Sequence, residues 1–206
     1  MQSARPPMDD ITFGGVMVAV RSGDERAMEA LFTDLHPRVL RFLRASEPSV
    51  ADDIAGEVWL AVARGLASFE GGFADFRGWV FSIAKRRLAD HRRASVRRAT
   101  SPVGHDYFDD RSATGTDHEF VSERLSAQDA VDLIARHLPA DQAELLTLRI
   151  VADLDVAHVA VVMDRSANWV RVTQHRALRR LAAALAVLAE KNLEDPVIPI
   201  VAQTIS

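Results

Sequence analysis

Two runs of apolar residues at helical spacing, separated by a stretch that has none, constrain this chain more than any other feature of its sequence. Within residues 24–98, Ala27, Leu31 and Leu35, then Val39, Leu40 and Leu43, recur on one helix face. Pro37 between them predicts a bend or break. A second helix is expected after Ser49. Asp52 and Asp53 stand in its first turn, where carboxylates complement the helix dipole, and Ile54, Val58, Ala61 and Val62 share one face. The stretch from Gly65 to Gly72 ends it, and a third helix from Asp75 carries Trp79, Val80, Ile83, Ala84 and Leu88. Residues 99–125 lose the periodicity and hold Ser101, Pro102, Gly104, Gly115 and the acids Asp106, Asp109, Asp110, Asp117, Glu119 and Glu123. Such a length without elements is foreign to a compact domain and reads as a flexible acidic linker. Helical spacing returns over residues 126–190 with Ala130, Leu133, Ile134 and Leu138, then Pro139 at a first helical turn before Leu145, Leu146, Leu148 and Ile150. The chain therefore reads as all-α, with two small helical domains. Residues 1–23 form an N-terminal extension, and residues 191–206 a tail in which Pro196 and Pro199 oppose helix around Val197, Ile198, Ile200 and Val201.

Composition narrows the classes. With 48% hydrophobic and 26% charged residues in 206, the chain has material for a core and is not wholly disordered. It has no cysteine, which excludes disulfides, thiolate zinc sites and a cysteine nucleophile. The apolar stretch Val16 to Val20 is too short to span a bilayer and lacks a basic flank and a small-residue cleavage site, so neither a signal peptide nor a membrane span is expected. The lack of cysteine fits a reducing cytosol, and a cytoplasmic chain is expected. The formal net charge is 25 − 29 = −4, but the cations are clustered. Lys85, Arg86, Arg87, Arg92, Arg93, Arg97 and Arg98 surround the single acid Asp90, and Arg171, Arg176, Arg179 and Arg180 form a second basic run. Both runs suit contact with phosphate.

The most specific local pattern spans residues 154–181. Asp155 is placed to cap a helix with Val156, Val159, Ala160 and Met163 on its inner face. Asp164-Arg165 forms a tight turn, and Ser166 caps a second helix with Val170, Ala177, Leu178 and Leu181 inside. Two short capped helices at this spacing match a helix-turn-helix, the alternative being an amphipathic helical hairpin whose polar face is merely solvated. The second helix would present Asn168, Trp169, Arg171, Thr173, Gln174, His175, Arg176 and Arg179. Arginine, asparagine and glutamine can pair bidentately with base edges in the major groove.

Two longer patterns carry a resemblance. The stretch Ala51-Asp52-Asp53-Ile54-Ala55-Gly56-Glu57-Val58-Trp59, with Phe76-Arg77-Gly78-Trp79-Val80-Phe81-Ser82-Ile83-Ala84 through Asp90-His91-Arg92-Arg93, resembles the region-two helix bundle of extracytoplasmic-function sigma factors. Leu138-Pro139 through Leu148-Arg149, then Leu154 to Leu181, is similar to their region-four helix-turn-helix domain. The pair occurs in the family's order and covers residues 24–188. The resemblance implies a protein that binds core RNA polymerase and directs promoter recognition, promoter melting and transcription initiation. It implies no enzyme, and hence no catalytic residue, no metal and no cofactor.

By the same resemblance, Asp52, Asp53, Glu57 and Trp59 dock on the coiled-coil clamp of the polymerase beta-prime subunit. Asp53 and Glu57, four apart, share a face able to meet arginines. The melted minus-ten strand falls to Lys85, Arg86, Arg87, His91, Arg92 and Arg93, with Phe73 in the loop Phe69 to Phe76 either a shelf for an unstacked base or simply a loop anchor. The second domain sits near the beta flap and puts Ser166 to Arg180 into the major groove of the minus-thirty-five element. Many members are held by an anti-sigma factor, and the family thereby adds that partner to core polymerase and promoter DNA. The sequence departs from the family pattern at Gly56, Arg86, Asp164 and Trp169. Asp164 suits a left-handed turn, whereas Arg86 and Trp169 bear on the promoter sequence read.

Two other readings compete. A free-standing regulator would use the helix-turn-helix on an operator, but it gives no reason for an acidic helix followed by an arginine-rich one. A metal-dependent hydrolase would draw His105, Asp106, Asp109, Asp110, His118 and Glu119 together, in a segment without the rigid support that metal sites need.

Overall fold

The computed structural model describes residues 8–100 and 127–194, and among these every regular element is helical. The readings placed on residues 101–126 and 195–206, including the linker acids and the proline-bearing tail, lie outside the described residues. The elements are α1 (Asp10–Arg21), α2 (Glu25–Ser46), α3 (Ala51–Gly65), α4 (Phe73–Thr100), α5 (Ala127–His137), α6 (Ala140–Ile150), α7 (Val156–Met163) and α8 (Ala167–Glu194).

The first half is built on the inner faces of α2, α3 and α4. Leu31, Leu35, Val39, Phe42 and Leu43 of α2 meet Ile54, Ala55, Val58 and Val62 of α3 and Phe76, Val80, Phe81, Ala84 and Leu88 of α4, all buried. Phe42 and Phe81 meet edge to face at 5.5 Å between ring centroids. Pro37 does not break α2, which runs through it. The residue is exposed, so the backbone acceptor its missing N–H leaves in the preceding turn faces water, and Arg41 Nε donates to the Pro37 carbonyl at 3.0 Å. Ser49 does not cap α3. It lies in a 3₁₀ turn, Pro48–Val50, that leads into the helix at Ala51. The third helix starts at Phe73, two residues ahead of the expected Asp75, because Asp75 Oδ2 accepts the Gly72 N–H at 2.8 Å and Asp10 Oδ1 accepts the Phe73 N–H at 2.8 Å.

That second bond comes from α1, which the sequence left in the extension over residues 1–23. Asp9 caps it by accepting the Thr12 N–H, and Phe13 and Met17 are buried. Phe13 contacts the rings of Phe69, Phe73 and Phe76 at 6.3, 5.5 and 5.3 Å. Arg21 Nη2 donates to the Phe69 carbonyl at 2.8 Å. The loop between α3 and α4 is thus fixed from both sides by α1.

In the second half, Val131 and Ile134 of α5, Leu145, Leu146 and Leu148 of α6, Val159, Val162 and Met163 of α7, and Val170 and Ala177 of α8 are buried. Pro139 stands at the N-cap of α6 rather than inside its first turn. The halves are in contact: α7 packs on α4, and α5 and α6 meet α2, so that one continuous apolar cluster includes residues of both.

Candidate nucleic-acid and polymerase interfaces

The helix-turn-helix is built by three local devices. Asp155 Oδ1 accepts the His158 N–H at 2.8 Å and starts α7. Asp164 closes it in the left-handed region, at φ 53° and ψ 55°, while the Arg165 N–H reaches the Ala160 carbonyl at 2.9 Å. Ser166 Oγ accepts the Trp169 N–H at 3.1 Å and starts α8.

The register of α8 then decides what it offers. Val170, Thr173 and Ala177 point inward and are buried, while Asn168, Arg171, His175, Arg176 and Arg179 are exposed. Thr173 was expected on the reading face. It is only 6% exposed, because it falls three residues after Val170 on the same side of the helix. Leu178, expected inside, is 45% exposed. Gln174 is half-buried, and its Oε1 accepts from Arg149 Nε at 3.1 Å, which orients the amide. Trp169 is half-buried, with the Arg165 guanidinium 5.6 Å from its ring centroid.

Along α4 the basic run is largely paired. Lys85 Nζ lies 2.6 Å from Glu144, Arg87 Nε 3.8 Å from Glu57, Arg92 Nε 2.9 Å from Glu47 and Arg93 Nη1 2.8 Å from Asp90. Arg86 is exposed, and His91 Nε2 is 3.5 Å from Ser95 Oγ. Most of these pairs are open to water, so they contribute little to stability. Phe73 sits as a loop anchor would. It is only 7% exposed, packed on Phe13 with the Arg77 guanidinium 5.1 Å over its ring.

On α3, Asp52, Asp53 and Glu57 are exposed, with Asp52 3.3 Å from Arg44. Trp59 is half-buried and its Nε1 donates to His36 Nδ1 at 3.2 Å. His36 stacks on Phe32 at 4.4 Å, and Phe32 lies 4.9 Å from Trp59. The sequence reading missed this trio, whose only signal was Phe32 and His36 one helical turn apart. Asp52 and Trp59 lie on the side of α3 that faces α2, whereas Glu57, 3.8 Å from Arg87, lies toward α4. Among the described residues no set of three or more His, Asp or Glu side chains is placed to hold a metal, and no helix is long and apolar enough to cross a membrane.

The structure thus sets an acid-bearing helix beside a basic one and places a helix-turn-helix after them in the chain. The comparisons make the class specific. Residues 31–98 match the family model described as Sigma-70 region 2, and residues 128–181 that described as Sigma-70, region 4. The chain is 30% identical over 172 residues to the ECF RNA polymerase sigma factor SigD of Mycobacterium tuberculosis, covering 81% of this chain and 80% of that one. It is 31% identical over 186 residues to the ECF RNA polymerase sigma factor ShbA of Streptomyces griseus, covering 85% and 96%. Among solved structures, CnrH in complex with the cytosolic domain of CnrY is similar in fold, with a TM-score of 0.53 and 18% identity over 84% of this chain and 96% of that one. The chain belongs to the extracytoplasmic-function RNA polymerase sigma factors, a family of transcription initiation factors rather than enzymes.

Proposed function

We propose that this sigma factor docks on the beta-prime clamp of core RNA polymerase through Asp52, Asp53, Glu57 and the aromatic group around Trp59. Carboxylates with water on one side keep most of their solvation until they meet arginines, which favours fast, salt-sensitive association. The melted minus-ten strand lies along α4 against Lys85, Arg86, Arg87, His91, Arg92 and Arg93, which supply charge for the backbone. The second half, near the beta flap, presents Ser166, Asn168, Trp169, Arg171, Gln174, His175, Arg176 and Arg179 to the minus-thirty-five element. Work with polymerase places the chain in the cytoplasm.

The observation that carries this reading is the two-sidedness of α8: Val170, Thr173 and Ala177 anchor it, while Asn168, Arg171, His175, Arg176 and Arg179, able to bond base edges and phosphates, remain outside. Permanganate footprinting on a promoter fragment tests it. With core polymerase and the chain, thymines just upstream of the start become reactive; with either alone they stay protected. Reactivity that does not depend on the chain contradicts the proposal.

A further inference from the structure

Where α7 crosses α4, His158 stands between two carboxylates from different halves of the molecule. Its Nε2 is 3.1 Å from Asp75 Oδ1 of α4, and its Nδ1 is 2.9 Å from Asp155 Oδ1, the cap of its own helix. The backbones approach closely here. A Cβ on Gly78 of α4 would lie 2.7 Å from His158 Cδ2, so only glycine leaves room for the imidazole. Two further ion pairs join the halves beside it: Arg77 Nη1 to Asp153 Oδ2 at 2.5 Å, and Lys85 Nζ to Glu144 Oε1 at 2.6 Å.

We propose that Asp75, His158 and Asp155 form a proton-operated latch that holds the second half closed on the first, with Arg77 and Lys85 of α4 occupied by Asp153 and Glu144. That closure withholds Lys85 from DNA rests on the reading of α4 as the strand-binding helix; the latch itself does not.

The charges around the imidazole favour its protonated form. Asp75 and Arg77 face it from α4, Asp155 from its own cap, Asp153 from the connection before α7, and Arg149 from α6. Three carboxylates oppose two guanidinium groups. Of these, the Arg149 guanidinium is turned to the Leu154 carbonyl and Gln174, and that of Arg77 to Asp153. Burial pushes the His158 pKa down, but the hydrogen bond with Asp75 and the adjoining carboxylate of Asp155 outweigh it, and the net direction is upward from 6.5. Asp75 is held below 3.8, first by the Gly72 N–H and then by His158. A group whose pKa rises on closure stabilises the closed form fully below its open-state pKa and loses that contribution as pH climbs through the closed-state value. A lowered carboxylate acts oppositely and is lost only as pH falls below 3.8. The latch therefore holds in mildly acidic to neutral solution and releases on the alkaline side of the histidine range.

The chain has no cysteine, so Glu29→Cys and Ala183→Cys, both at exposed positions, give one dye site on each half. Energy transfer is read from about pH 5.5 to about pH 8.5, spanning the histidine range, with circular dichroism confirming helix content. In the intact chain, transfer falls as pH rises. His158→Gln, which keeps a hydrogen-bonding side chain without the charge, abolishes that fall. Gly78→Ala, which suits a helix but occupies the space of the imidazole, gives the low-transfer signal throughout. Transfer that is flat with pH in the intact chain, that falls equally in H158Q, or that stays high in G78A overturns the latch. No polymerase or DNA is present, so this result and that of the footprinting stand or fall separately.

Discussion

Lys85 Nζ of α4 lies 2.6 Å from Glu144 Oε1 of α6, so a cation from the basic run is neutralised by a carboxylate of the other half. The two side chains are 31% and 25% exposed, and a pair so accessible to water contributes no more than about 1 kcal/mol to closure. Its larger effect is on what Lys85 can reach. Glu144→Gln should raise the affinity of the free chain for single-stranded DNA and steepen its salt dependence, while Lys85→Ala should lower both. Fluorescence anisotropy across a salt series measures this, and binding by E144Q no tighter than that of the intact chain would show that the pair does not limit access.

The turn of the helix-turn-helix depends on one backbone conformation. Asp164 sits at φ 53°, which residues with a Cβ adopt at a cost and β-branched residues adopt worst. Asp164→Gly should leave the second half as stable or slightly more so. Asp164→Val should cost about 1–2 kcal/mol, the penalty of the left-handed region. Thermal unfolding of both variants is the check, and equal stability would contradict the role given to this residue.

Helix α1 is held by Phe13, only 2% exposed among the rings of Phe69, Phe73 and Phe76. Phe13→Ala should destabilise the first half by about 3–5 kcal/mol, the usual loss for a large buried aromatic. It should also weaken open-complex formation, because the loop from Phe69 to Phe73 loses its support. Urea unfolding gives the first quantity; a loss within about 0.5 kcal/mol, the size of a surface change, would mean that α1 is not part of this core.

These relationships were unequally legible in the sequence. Asp155, Asp164 and Ser166 act on backbone atoms within five residues of themselves, so their chemistry and spacing suffice to place them. Leu31, Leu35, Val39, Leu43, Ile54, Val58, Val62, Val80, Ala84 and Leu88 follow from period, whereas Leu40, Ala61, Trp79 and Ile83 are half-buried and the buried rings of Phe42, Phe76 and Phe81 were not picked out by it. What escaped depends on partners distant in sequence. Phe73 looks like a loop aromatic until Phe13, sixty residues earlier, covers it. Helix α1 hides behind Gly14 and Gly15, which weaken its pattern although neither meets a neighbour. Thr173 was misplaced by chemistry: a hydroxyl suited the reading face, but its register after Val170 turns it inward. The Phe32, His36 and Trp59 group and the His158 crossing each need two elements brought together, which no local window reveals.

The central claim is that the exposed acids of α3 bring the chain to polymerase and the outer face of α8 selects the promoter. Run-off transcription with core RNA polymerase on a pool of genomic promoter fragments tests both parts. We compare the intact chain, a variant carrying Asp53→Ala and Glu57→Ala, and one carrying Asn168→Ala and Arg171→Ala. The intact chain should yield a defined set of transcripts. The first variant should reduce all of them alike, and the second should reduce them unevenly according to the minus-thirty-five sequence. No chain-dependent transcript, with DNA retained by the chain alone, would contradict the account.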